Sequence, residues 1–154
     1  MKELFKIENC VDDEVIKIVG QFSIMWGLFE WMYLNNNASM CAIKKVYLTG
    51  FGFEEIAEAF RTEMVNFIHG RYGNKEINTK EVETVLFSDV AHADGLDEIT
   101  EYLRYENDDF KNCIRCLFRI RTNMFHGLKQ IEELNKQRAI FQTAIAVLTE
   151  MIKR

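Results

Sequence analysis

Val15, Ile16, Val19, Phe22, Trp26, Phe29 and Tyr33 recur at intervals of three and four residues. That rhythm puts side chains on one face of an α-helix and predicts a helix from about Asp12 to Leu34. Asp12, Asp13 and Glu14 suit its positive N-terminal end, and the Asn35-Asn36-Asn37 run ends it. Thr49-Gly50-Phe51-Gly52 supplies a second loop whose glycines allow backbone angles other residues resist. A further helix follows with the stripe Phe53, Ile56, Phe60, Met64 and Phe67, stopped by His69-Gly70-Arg71-Tyr72-Gly73-Asn74. Asn78 with Glu81 three residues later has the spacing of a capping box and opens a shorter helix carrying Val82, Val85, Leu86 and Val90.

Residues 93–109 are polar and acidic and read as mostly surface connection, with a helical turn or two near Ile99 to Leu103. Asn107 or Asp108 can cap the next helix, from Phe110 to about His126, and Gly127 breaks the chain just after the histidine. Beyond it, Ile131, Leu134, Phe141, Ile145, Leu148 and Ile152 keep a 3-4 rhythm to the C-terminus, with Ile140, Ala144, Val147 and Met151 on a neighbouring stripe. A helix apolar on two flanks is either central in a bundle or buries one flank against a second copy of the chain. No strand pattern or internal repeat interrupts the series. The expected fold is all-α: one domain over residues 1–154, a compact bundle of about five helices with a long C-terminal helix.

Composition agrees with that class. The chain has 154 residues, 48% of them hydrophobic and 12% aromatic, with no proline and eight glycines, which suits packed helices and argues against disorder. Its longest apolar run, Phe22 to Leu34, is shorter than the roughly 20 residues a bilayer span needs, and Glu30 interrupts it, so no membrane partner is expected. Cys10, Cys41, Cys113 and Cys116 show no framework spacing and no signal peptide precedes them; free thiols in a cytoplasmic protein are expected. The Cys113/Cys116 pair shares a helical face but has no second pair to complete a zinc site and no strand-to-helix context for redox chemistry, so both are expected as buried small residues with no metal or other cofactor.

A net charge of −5 speaks against generic phosphate affinity, but the average conceals a division. Residues 111–138 carry a net +5, and Asp89 to Asp109, immediately before them, a net −7. The basic stretch surrounds Arg121-Thr122-Asn123-Met124-Phe125-His126. Phe110, Ile114, Leu117 and Met124 form one stripe with Arg121 on it, so a permanent cation is expected to face the core side, where it requires a carboxylate, acceptors or a bound anion.

An RNA phosphodiester can be cleaved by its own 2′-hydroxyl when a base takes that proton, an acid protonates the departing 5′-oxygen and a donor stabilises the extra negative charge. His126, with an ordinary pKa near 6.5, is of the right type to move the protons, and Arg121 to bond the non-bridging oxygens. The other histidines, His69 in a glycine-flanked turn and His92 in an acidic loop, read as structural or solvent groups. A second acid or base would come most economically from another copy's His126 across a twofold axis.

The string RTNMFHG at 121–127, preceded by a basic helix and followed by a long apolar one, resembles the HEPN superfamily, in which an Arg, four to six residues and a His mark the active site. The aromatic first helix, FSIMWGLFEWMYL, also looks like those all-helical domains. The resemblance implies a homodimeric, metal-independent endoribonuclease that leaves cyclic phosphate ends, often a component of toxin–antitoxin or defence systems with an antitoxin or regulatory protein as partner. It also implies the alternative of a catalytically inactive RNA- or protein-binding module, since some members have lost activity. The family's usual Asn, Asp or His after the motif Arg is Thr122 here, which leaves the polar helper role unfilled or with Asn123. Leu128 replaces the Tyr that is adenylylated in members paired with a nucleotidyltransferase, so silencing by that route is not implied.

Around this pair, Glu30 lies amid Trp26, Phe29, Trp31 and Tyr33 and is either a flank charge in water or the partner that holds Arg121. Arg119 fits a six-residue spacing to His126 and is a candidate substrate contact, although a solvated face is the simpler reading, and Arg115, Lys129 and Arg138 are candidates to track an RNA backbone. Arg138 stands on the apolar register of the last helix, a second cation where a hydrophobe is expected.

Overall fold

A computed structural model describes residues 13–46, 54–88, 94–105, 110–123 and 136–153. Among these residues every regular element is helical: α1 Asp13–Tyr33, α2 Met40–Lys44, α3 Glu54–Tyr72, α4 Thr79–Leu86, α5 Leu96–Arg104, α6 Phe110–Asn123 and α7 Arg138–Ile152. Seven helices therefore stand where about five were expected; α2 and α5 are the additions. The proposed caps at Asn107 and Asp108, the loop at 49–52 and the segment from Met124 to Leu134 lie outside the described residues.

Helix α7 packs between α1 and α3, and α3 leads to a second group in which α6 meets α2, α4 and α5. Phe22 of α1 meets Phe141 of α7 edge to face at 5.3 Å, and Tyr33 donates to the Met151 carbonyl at 2.9 Å. Trp26 stacks on Phe118 of α6 with ring centroids 6.2 Å apart, tying the two groups together. Phe22, Trp26, Phe29, Phe60 and Phe141 are all fully buried, each contributing on the order of 2 kcal/mol from water exclusion.

Both flanks of α7 are inside this one chain. Ile140, Phe141, Ala144, Val147, Leu148 and Met151 are buried, so the central-helix reading holds and the second flank offers no face to another copy. Helix α1 ends where Asn35 and Asn36 adopt left-handed backbone angles, which asparagine tolerates because its side chain bonds locally. Ser39 then caps α2 by accepting from the Ala42 N–H. Helix α3 runs through His69 and Gly70 to Tyr72, longer than expected. The stop is Gly73, at φ +99°, because one glycine inside a helix costs only about 1 kcal/mol whereas a left-handed angle requires one.

Asn78 caps α4 as its spacing predicts, its Oδ1 accepting from the Glu81 N–H at 2.9 Å. The expected surface connection over 93–109 is corrected by α5, whose Leu96, Ile99, Thr100, Tyr102 and Leu103 are buried. Asp97, Glu98 and Glu101 occupy its other face, so acidic composition hides an amphipathic period. Among the described residues no helix is long and apolar enough to cross a membrane.

Candidate active site at the end of α6

Helix α6 is the scaffold of the motif, and its buried face is wider than the single stripe read from sequence. Asn112, Cys113, Cys116, Leu117, Ile120 and Asn123 all point inward because other helices pack around α6. Arg121 lies at the edge of that face and is half-buried. The deeply buried cation is instead Arg119, 4% exposed, which corrects the solvated position expected for it.

Arg119 and Asn123, one turn apart, reach together to the C-terminus of α4. The Arg119 Nε donates to the Leu86 carbonyl at 3.0 Å, and its guanidinium lies 4.6 Å from the Phe87 ring centre and 5.8 Å from that of Phe118. Asn123 Nδ2 donates to the Val85 carbonyl at 2.7 Å while its Oδ1 accepts from the Ser88 hydroxyl at 3.2 Å. The last carbonyls of any helix have no partner within it and carry its negative end. A cation and an amide from α6 answer them here, which fixes the last turn of α6 on α4.

Thr122, which follows Arg121, donates its hydroxyl to the Phe118 carbonyl of its own helix at 2.9 Å. Its side chain is an intrahelical group. Glu30 takes neither expected role: its Oε1 accepts from the Ala38 N–H at 3.2 Å and its carbonyl accepts from Leu34 and Asn36, closing the turn after α1. Arg115 donates to Asn112 Oδ1 at 2.5 Å one turn earlier in α6. Arg138 pairs with Glu14, so the cation on the apolar register of α7 is answered by α1. Arg115 and Arg138 stand on different helices; His126 and Lys129 lie outside the described residues, as do Met124, Phe125, Gly127 and His92.

The thiols behave as expected. Cys113 and Cys116 are fully buried; burial pushes the Cys113 thiol up to about 12, against a smaller opposing influence of the nearby Tyr102 hydroxyl, and holds Cys116 well above its ordinary range. Burial first, then the two thiols, raises Tyr102 as well. Cys41 is exposed. Among the described residues no three His, Cys, Asp or Glu side chains gather as a metal site.

Two arginines with no sequence signal also bind backbone carbonyls, Arg61 at a helix end as Arg119 does and Arg104 in the segment before α4. Arg61 donates to the Tyr102 carbonyl at 2.7 Å and the Leu103 carbonyl at 3.2 Å at the end of α5, and Arg104 donates to the Ile77 carbonyl at 2.5 Å. Together with His69, whose Nε2 is 3.0 Å from the Lys75 carbonyl, they line an open hollow between α3, α5 and the 74–77 segment that leads into α4. Each of these groups is occupied with backbone. A comparison with family models, curated proteins and solved structures finds no match for this chain.

Proposed function

We propose that the chain is a metal-independent endoribonuclease of the HEPN kind, cutting single-stranded RNA by 2′-hydroxyl attack at a site assembled from Arg121 and His126 of two copies. The observation that carries this reading is the string RTNMFHG, whose first three residues end a basic helix held at its last turn by Arg119 and Asn123. An arginine stabilising a phosphorane needs a fixed backbone, because misplacement by about 1 Å costs on the order of a hundredfold in rate. In this mechanism Arg121 binds the non-bridging oxygens and the two His126 side chains move the protons. Asn123 acts as a positioning residue, since its amide is occupied on α4. Arg119 belongs to the same clamp, leaving Arg115, Lys129 and Arg138 as candidates to follow the RNA backbone. A cytoplasmic toxin or defence component restrained by an antitoxin is the setting such an activity fits.

Thr122 favours a second reading. With its hydroxyl turned back onto Phe118, the position after the motif arginine supplies no helper to the site. An inactive HEPN-like module that binds RNA or a protein partner keeps the fold without that group.

Single-stranded RNA incubated in EDTA separates the two. Cleavage by the wild-type chain, lost by at least a hundredfold in both His126→Ala and Arg121→Ala, supports the enzyme. Equal background in all three proteins, with RNA retained, supports the binding module.

A further inference from the structure

Helix α6 is buried on most of its circumference, and the strip left open is basic. Lys111, Arg115, Phe118 and Thr122 fall within about 60° of one another around the helix axis, and all four reach solvent. Arg121 flanks this strip one turn beyond Phe118. At the other end, Lys111 Nζ donates to the Lys44 carbonyl of α2 at 2.7 Å, which brings the exposed Lys44 and Lys45 to the start of the strip.

No acid balances these cations from within their own helices: neither α2 nor α6 contains an Asp or Glu. Lys44, Lys45 and Arg115 form no ion pair among the described residues. Lys111 and Arg115 stand four apart on one helix, a spacing at which like charges repel and weaken it. A polyanion laid along the strip relieves that repulsion and releases its own counterions as it binds.

We propose that the strip carries the backbone of single-stranded RNA away from the phosphate held at Arg121, with Arg115, Lys111, Lys44 and Lys45 binding successive phosphates beyond it. Arg115 and Lys111 lie about 6 Å apart along the axis, close to the step between phosphates of an extended strand, and Lys111 lies about 15 Å from Arg121. Phe118 stands between Arg115 and Arg121, where a base can stack on it, and this aromatic among the cations favours RNA over an acidic peptide. Contacts of this kind position a strand without reading its sequence. The proposal takes its ligand from the RNA reading and its anchor, Arg121, from the nuclease reading, and it adds Lys44, Lys45, Lys111 and Phe118 to the substrate path.

The test is fluorescence anisotropy of a labelled 2′-O-methyl oligouridylate of about ten nucleotides, a strand that 2′-hydroxyl attack cannot cut, titrated with the full chain at several salt concentrations. The logarithm of affinity is expected to fall with the logarithm of salt at a slope of about −3, the value for four or five phosphates at about 0.7 each. The double variants Lys44→Gln/Lys45→Gln and Lys111→Gln/Arg115→Gln should each make that slope shallower by about 1.4 and weaken binding at least fivefold at about 50 mM salt, with helical circular dichroism unchanged. Lys17→Gln/Lys153→Gln removes the same charge from α1 and the end of α7, and should change the slope by less than about 0.3. Absence of binding, or strip variants no weaker than Lys17→Gln/Lys153→Gln, overturns the proposal. So does tighter binding of a polyglutamate of similar length, which would assign the strip to an acidic protein. Cleavage that needs Arg121 and His126 but survives with wild-type affinity in both strip variants leaves the nuclease and removes the track; strip-dependent binding without cleavage does the reverse.

Discussion

Arg119, Arg121 and Asn123 span about one turn of the same helix, yet of the three only Arg121 keeps an edge position while Arg119 and Asn123 are buried in an interhelical clamp. Asn123→Ala strands the Val85 carbonyl and the Ser88 hydroxyl and is expected to lower unfolding free energy by about 1–3 kcal/mol. Arg119→Met keeps the apolar stem but removes the donor and the cation from the end of α4, with a similar loss. Urea titration measures both; a loss below the scatter of ordinary surface substitutions contradicts the clamp. The buried thiols give a pH dependence whose sign follows from their raised values. Folded Cys113 and Cys116 stay protonated where unfolded thiols ionise, so their contribution is complete below about pH 9 and declines as pH rises above it, for Cys113 until about 12. Each thiol adds up to about 1.4 kcal/mol per pH unit to that decline, and Cys113→Ala is expected to flatten it. Peptide mapping after treatment of the native chain with a thiol reagent should find Cys41 modified and Cys113 and Cys116 protected. The buried thiols were legible in sequence. Arg119 was not, because spacing to a histidine says nothing about the width of a helix's buried face.

Helix α5 shows why composition alone misleads. Its acidic residues lie on one side and Leu96, Ile99, Tyr102 and Leu103 on the other, a period that a reading of net charge overlooks. Leu103→Ala is expected to cost about 2–5 kcal/mol, a core value incompatible with a surface connection. The start of α5 is also tightly built: Gly95 sits at φ +87°, and a Cβ there would stand 2.9 Å from both the sulfur and the terminal methyl of Met40 on α2. Gly95→Ala is expected to destabilise by roughly 1–3 kcal/mol, part of it recovered by Met40→Ala in the same chain. Full additivity of the two would contradict a steric origin. The α4 cap was readable because Asn78 and Glu81 state it by their three-residue spacing. Helix α2 was not, because five residues are too few to display a period.

At the level of the whole molecule, the all-helical class followed from periodicity, which left the last helix either central or half-open to a second copy; packing between α1 and α3 decides for the centre. Which side of α1 stays open did not follow: the helix has two apolar sides, and only packing decides that Phe22 and Trp26 turn inward while Ile24 and Trp31 remain outside. The candidate site was legible as a motif, and the clamp beneath it became apparent only when α4 and α6 were brought together. The basic charge of residues 111–138 is likewise divided by the fold, with Arg119 enclosed and Arg138 paired to Glu14. The central claim concerns what Arg121 and His126 do to RNA, and it is tested most directly by the product ends. Single-stranded RNA treated with the full chain in EDTA should yield fragments ending in 2′,3′-cyclic phosphate, while the same strand with 2′-O-methyl groups throughout should remain intact. RNA left whole by the wild-type chain, or fragments identical in yield and ends to those from His126→Ala, would contradict it.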